Sequence, residues 1–88
     1  METLYGILQY DDPYCAEYTK MIFTSYEQAL EYMRLHHDDS DFACVEEWKF
    51  SPEKDRYLTG ERYYYLDGKV LTNNEYWNEI ERRKDYDN

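Results

Sequence analysis

An 88-residue chain has the size of one domain with one thin core. Its 42% apolar share and 19% aromatic share, with twelve Tyr, argue against a disordered chain. A formal net charge of −10 argues against direct binding to nucleic acid or to an anionic membrane, and favours basic partners. The pattern opens with a strand over residues 3–10, where Tyr5, Ile7 and Gln9 face one way and Leu4, Leu8 and Tyr10 the other. Asp11-Asp12-Pro13 reads as a turn, because Pro fixes φ and Asp bonds nearby backbone. A second strand over 15–23 then closes an antiparallel hairpin.

A helix follows, with two overlapping capping boxes at its start: Thr24 with Glu27, or Ser25 with Gln28. It should run to about His37, with Tyr26, Ala29, Leu30 and Met33 as its buried stripe. Asp38-Asp39-Ser40-Asp41 reads as a solvated loop. Phe42 to Phe50 is a third strand, with Phe42, Cys44, Glu46, Trp48 and Phe50 on one face and Ala43, Val45, Glu47 and Lys49 on the other. Partly apolar residues on both faces suit a central position. Ser51 to Gly60 reads as a polar connection.

Strands over 61–66 and 69–72 flank Asp67-Gly68, which accepts positive φ and favours a tight hairpin. Thr72 and Glu75 form a capping box for a last helix with Tyr76, Trp77 and Ile80 as its apolar stripe. Arg82, Arg83 and Lys84 suit its last turn, where cations favour the helix dipole. Residues 85–88 should fray. The expectation is one α+β domain over residues 1–88, a small antiparallel sheet of about five strands with two helices, in the order ββαβββα.

The segment Phe23, Thr24, Ser25, Glu27, Ala29 and Glu31 resembles a helix start found in short uncharacterised phage and bacterial proteins. In those, a hairpin runs into a Phe-Ser-Ser-x-Glu-x-Ala-x-Glu helix, and a strand follows. The resemblance spans residues 1–50 and implies the fold of that half and a phage or bacterial setting. It implies no active site.

Charge is unevenly placed. Residues 1–48 hold eleven acids and two bases, Lys20 and Arg34, whereas residues 49–88 hold nine acids and eight bases. Like charges gathered on a small surface repel one another, and the roughly 8 Å screening length at physiological salt leaves near neighbours exposed to that repulsion. A surface kept acidic in spite of this suits a basic partner, and DNA-binding sites are built to neutralise phosphate. The leading expectation is a protein-binding domain without catalytic activity or cofactor, a phage-type inhibitor that mimics DNA against a basic site of a host defence protein. Its contact residues would be Glu27, Glu31, Asp38, Asp39, Asp41, Glu46 and Glu47. The bland reading of the same residues is a solvated face that aids solubility.

Two other readings stay open. A Tyr-rich hairpin of Tyr57, Tyr63, Tyr64 and Tyr65 could form a homodimer or docking edge, since Tyr suits half-buried contact surfaces. An aromatic pocket could instead hold a small signalling ligand. His36-His37-Asp38-Asp39 with Asp41 lacks the central Gly of an EF-hand loop and reads as solvated helix-end residues. Cys15 or Cys44 with a His lacks a strand-to-helix elbow and a third group. The first ten residues carry no basic start before an apolar run, so two free thiols in a reducing cytoplasm are expected, or a disulfide if their strands are neighbours.

Overall fold

The computed structural model describes residues 2–11 and 16–86. Its elements are β1 (Thr3–Asp11), β2 (Ala16–Phe23), α1 (Tyr26–His36), β3 (Phe42–Ser51), β4 (Arg56–Leu66), β5 (Lys69–Thr72) and α2 (Asn73–Tyr86). The expected order and the α+β class hold. All five strands join one antiparallel sheet in the order β2-β1-β3-β4-β5, so β3 is the middle strand. The expected Asp-Asp-Pro turn and Cys15 involve residues outside those described, as do residues 87 and 88. The helix expected to fray from residue 85 continues to Tyr86.

Local chemistry sets the ends of the helices. Ser25 is the cap of α1, its Oγ accepting the Gln28 backbone N–H at 3.3 Å, so the second of the two possible capping boxes sets the start. At α2 the box is reciprocal: Glu75 Oε1 accepts the Thr72 N–H at 2.9 Å, and Thr72 Oγ1 accepts the Glu75 N–H at 3.4 Å. Those bonds hold the exposed Glu75 carboxyl below its ordinary pKa. Asp67 and Gly68 both take positive φ, 53° and 79°, the geometry of a tight hairpin turn.

The polar connection expected over residues 51–60 is a correction. Only 52–55 form the turn, and Arg56 to Thr59 pair with Ser51 to Trp48 as the first part of β4. Asp55 supplies the positive φ, 51°, that a Gly would have signalled. The resulting β3–β4 hairpin carries the sheet past the first turn of α2, and the molecule is 48 Å long on one axis.

Successive strand residues point to opposite faces, and each face receives one helix. Ile7, Val45, Ala29 and Met33 form a fully buried cluster beneath α1, edged by Tyr5, Phe23, Leu30, Tyr32, Phe42, Tyr63 and Tyr65. On the reverse face Leu8, Cys44 and Tyr64 are buried, with Ala43, Trp48 and Tyr76 packed around them. A bulge breaks the expected alternation of β3: Leu8 pairs with Cys44 but Gln9 with Phe42. Ala43 is thus the extra residue, and Phe42 turns to the α1 side. Each fully buried side chain of this size contributes roughly 1.5–3 kcal/mol, so these two layers are the main source of stability. No helix among the described residues is long and apolar enough to cross a membrane.

Gly6 decides how Trp48 lies. A Cβ on Gly6 would come within 2.7 Å of the Trp48 ring, so the indole rests directly on the β1 backbone. Gly6→Ala is expected to lower stability by about 1–3 kcal/mol by forcing that ring to move. Chemical unfolding followed by Trp fluorescence checks this, and an unchanged midpoint contradicts the contact.

Candidate functional site

Strand direction gathers several element ends at one end of the sheet. The end of β1, the start of β2, the α1–β3 loop and the β4–β5 turn all lie there. The Tyr10 N–H donates to the Asp41 carbonyl at 2.8 Å, tying the end of β1 to the α1–β3 loop. That loop is closed by the Asp39 N–H on the His36 carbonyl, 3.0 Å, and the Phe42 N–H on the Asp39 carbonyl, 3.1 Å. Asp11, Asp38, Asp39 and Asp41 are therefore neighbours in space and all exposed, although the chain separates Asp11 from the others. Asp39 bonds His36 Nδ1 at 3.0 Å, and His36 stacks on Tyr32 with centroids 4.2 Å apart. Lys20 reaches this region. Its ammonium is held above its ordinary pKa by a hydrogen bond to Tyr32 and by the charges of Tyr32 and Asp41.

Glu27 and Glu31 lie one turn apart on the exposed side of α1. Glu31 is paired with Arg34 at 2.6 Å, and that bond holds its carboxyl below the usual range. Both partners are more than half exposed, 57% and 55%, so the pair adds little stability and can be broken at small cost by a competing cation.

Glu46 and Glu47 do not belong to this surface, which corrects their expected place in it. Adjacent residues on β3 face opposite sides, and each is occupied within the fold. Glu46 is buried; it accepts Trp48 Nε1–H at 2.7 Å and Arg62 Nε–H at 2.8 Å. Arg62 reaches on to Glu17 of β2 at 3.1 Å, so one guanidinium joins three strands. Burial works against the Arg62 charge, but its bonds to Glu46 and Tyr64 hold it protonated. Glu47 lies on the α1 side, where Lys49 approaches at 3.6 Å and the Tyr63 hydroxyl at 3.5 Å. Of the expected acidic set, Glu27, Glu31, Asp38, Asp39 and Asp41 remain on the outside.

Most of the Tyr-rich hairpin is committed to packing. Tyr63 meets Tyr26 edge-on at 5.3 Å, and Tyr65 lies against His37 at 4.2 Å. Tyr64 is buried and stacks on Tyr76, centroids 4.2 Å apart and planes at 10°. Only Tyr57 is exposed, donating to Glu2 at 2.9 Å. Three of the four residues expected to form a contact edge are thus held beneath helices. Cys44 faces α2 while His37 faces the other side, so these two cannot act as nucleophile and base. Burial pushes the Cys44 thiol up to about 12. Among the described residues, no group of three or more His, Cys, Asp and Glu converges as a metal site would require.

The sheet face that carries α2 also holds a groove that sequence reasoning missed. The helix packs on β4 and β5, leaving an open space of about 550 Å³ beside its first turn. Tyr10, Glu17 and Ala43 of β1 to β3 line it, with Thr59, Glu61 and Arg62 of β4 and Asn73 and Trp77 of α2. A bulge builds it: Glu46 pairs with Arg62 but Trp48 with Thr59, so Gly60 and Glu61 together oppose Glu47. The extra residue turns Glu61 toward α2, where its Oε1 accepts the Asn73 N–H at 3.1 Å. The one available signal, Arg62 opposite Glu46, is invisible while residues 56–60 read as loop.

No protein-family model, curated protein or solved structure matches this chain. The candidate site therefore rests on its own geometry.

Arg62→Met should destabilise the protein by roughly 2 kcal/mol. This is less than the 3–5 kcal/mol of a fully buried pair, because Arg62 and Glu17 keep about a third of their side-chain exposure. Adding Glu46→Gln to Arg62→Met should recover part of the loss, which urea unfolding of the single and double variants measures. A pH effect also follows from two groups. Burial raises Cys44, and burial and the Glu47 charge raise Tyr63, each to about 12. Both groups are neutral when protonated, so their contribution is complete below their unfolded values of 9.0 and 10.0 and fades as pH rises toward 12. Unfolding curves should show falling stability above about pH 9, with tyrosinate absorbance rising late.

Proposed function

We propose that this chain is a binding protein, not an enzyme, whose acidic end occupies a basic, phosphate-binding site on another protein. The observation that carries the reading is the convergence of Asp11, Asp38, Asp39 and Asp41 at one end of the sheet, tied by the bond from Tyr10 to Asp41. Glu27 and Glu31 extend the negative strip along α1. Carboxylates there would pair with Arg and Lys that otherwise hold phosphate.

Magnitude limits what is imitated. Glu27 and Glu31 lie four residues apart on α1, about 6 Å at 1.5 Å per residue, and Asp38 follows just past the helix end at His36. The two helix carboxylates are thus about 6 Å apart along the axis, with Asp38 farther on, against one charge per roughly 1.7 Å along duplex DNA. This density suits a site contacting a few phosphates of one strand better than a long duplex track. A phage-encoded inhibitor of a host nucleic-acid-binding defence protein, acting in the host cytoplasm, is the setting that best fits such a surface.

Solubility alone would also use exposed acids, so the test must separate the two. Replacing Glu27, Asp38, Asp39 and Asp41 together by Lys should weaken partner binding by at least about tenfold, since each exposed pair is worth roughly 0.2–1 kcal/mol. Binding should also fall steeply with added salt, and nucleic acid should compete for the captured partner. Calorimetry or surface-binding measurements on that partner read this. Salt-insensitive binding that survives the four reversals removes the acidic end from the contact.

A further inference from the structure

The sheet face beside α2 is only partly covered. An apolar strand face normally meets a second layer, yet α2 packs over β4 and β5, away from β2. Tyr10 and Trp77 stay 42% and 49% exposed at the rims of the groove. Trp77 is nonetheless fixed in place, its Nε1–H donating to Asn73 Oδ1 at 3.2 Å and its ring standing edge-on to Tyr76 at 5.1 Å. An exposed but oriented aromatic ring is a ready contact surface.

The groove also has a definite charge. Three carboxylates, Glu17, Glu46 and Glu61, line it with one guanidinium, Arg62, which leaves two negative charges. Arg62 lies between Glu46 and Glu17, so these walls already accommodate a guanidinium. Glu61 uses one oxygen to cap α2 and to accept the Arg62 N–H at 3.2 Å; its second oxygen has no hydrogen-bond partner among the described residues. An anionic ligand is disfavoured by this balance, and a purely apolar one by Thr59, Asn73 and Asn74. A cation with an apolar stem fits: its charge faces Glu61, its stem lies along Ala43, and the rings of Tyr10 and Trp77 flank it.

Position selects the source of that cation. Tyr10 lines the groove, its N–H bonds the Asp41 carbonyl, and the next residue is Asp11. Groove and acidic end thus adjoin at the end of β1, across the end of the sheet. We propose that the groove seats an extended basic segment, with an Arg or Lys side chain inserted, from the same protein partner that the acidic end engages. This extends the reading of the acidic end and rests on it for the identity of the partner, but the groove can be tested alone.

The test is a titration of the isotope-labelled full chain with a short capped peptide containing one central Arg, followed by backbone amide and indole N–H signals. The same peptide with citrulline in place of Arg, and spermidine, serve as the other arms. The Trp77 indole signal and the amides of Tyr10, Glu17 and Glu61 should move with the Arg peptide and not with the citrulline peptide. Trp77→Ala and Glu61→Gln should each weaken the response about two- to fivefold, the range for an exposed cation–π contact or ion pair. The Gln variant keeps an acceptor for the α2 cap, so it separates charge from folding. Shifts confined to Asp38, Asp39 and Asp41, or absent from the groove, overturn the proposal and leave the acidic end to be judged by its own charge-reversal experiment. An equal groove response to spermidine overturns the peptide assignment, because a free polyamine would then suffice.

Discussion

Glu46 lies in the middle of the central strand, where water barely reaches it. A carboxylate in such a place must be neutralised or it unfolds the sheet around it. Arg62 directly opposite on β4 supplies the charge, and the Trp48 indole supplies a second donor. Both donors depend on register. The bulge at Gly60 and Glu61 sets which β4 residue faces Glu46, and bare Gly6 lets the Trp48 ring lie close enough to reach it. Slipping β4 by one residue would send Arg62 to the α1 face and strand the carboxylate. The pair therefore does more for the uniqueness of the sheet than for its net stability.

That demand shapes the outer charge as well. Ten bases must serve twenty acids. Arg62 is committed to Glu46 and Glu17, Arg83 to Glu79 and Asp67, and Arg82 to Glu79. These cations lie on β4 and α2, next to their partners. The α1–β3 loop has Lys20 nearby, and Arg34 lies a turn back on Glu31. The acidic end is what remains once the sheet and the second helix have taken the cations they require. This explains why its charge survives in the folded molecule, and why its exposed carboxylates need little reorganisation to meet a basic surface.

Aromatic residues divide in a similar way. Tyr5, Tyr26, Tyr63 and Tyr65 close the thin layer under α1, and Tyr64 with Tyr76 does the same under α2. A small chain with few large aliphatic side chains uses rings to fill its layers, their hydroxyls reaching partners or water at the edges. Of the rings that packing leaves exposed, Tyr10 and Trp77 fall beside the groove next to α2. The edge strand β2 is exposed along most of its length, but its bulge at Lys20 leaves that edge poorly shaped to add a further strand.

Local grammar in the sequence determined the element order, the start of α2, the start of α1 to within one residue, and the Asp67-Gly68 turn, because capping and turn chemistry act over three or four residues. Alternation along Phe42 to Phe50 likewise marked the middle strand, since both of its faces need apolar residues. The surplus of acid in the first half was equally plain from counting. Tertiary structure alone decided which acids share a surface. Glu46 and Glu47 look like their neighbours in the chain, but their charge is spent on Arg62, Lys49 and Tyr63, whose proximity depends on strand pairing. Asp11 joined Asp38, Asp39 and Asp41 only through antiparallel geometry, and the groove required a bulge that no local signal announces. Hydrogen bonds between distant strands set these distances, so no short window of sequence contains them.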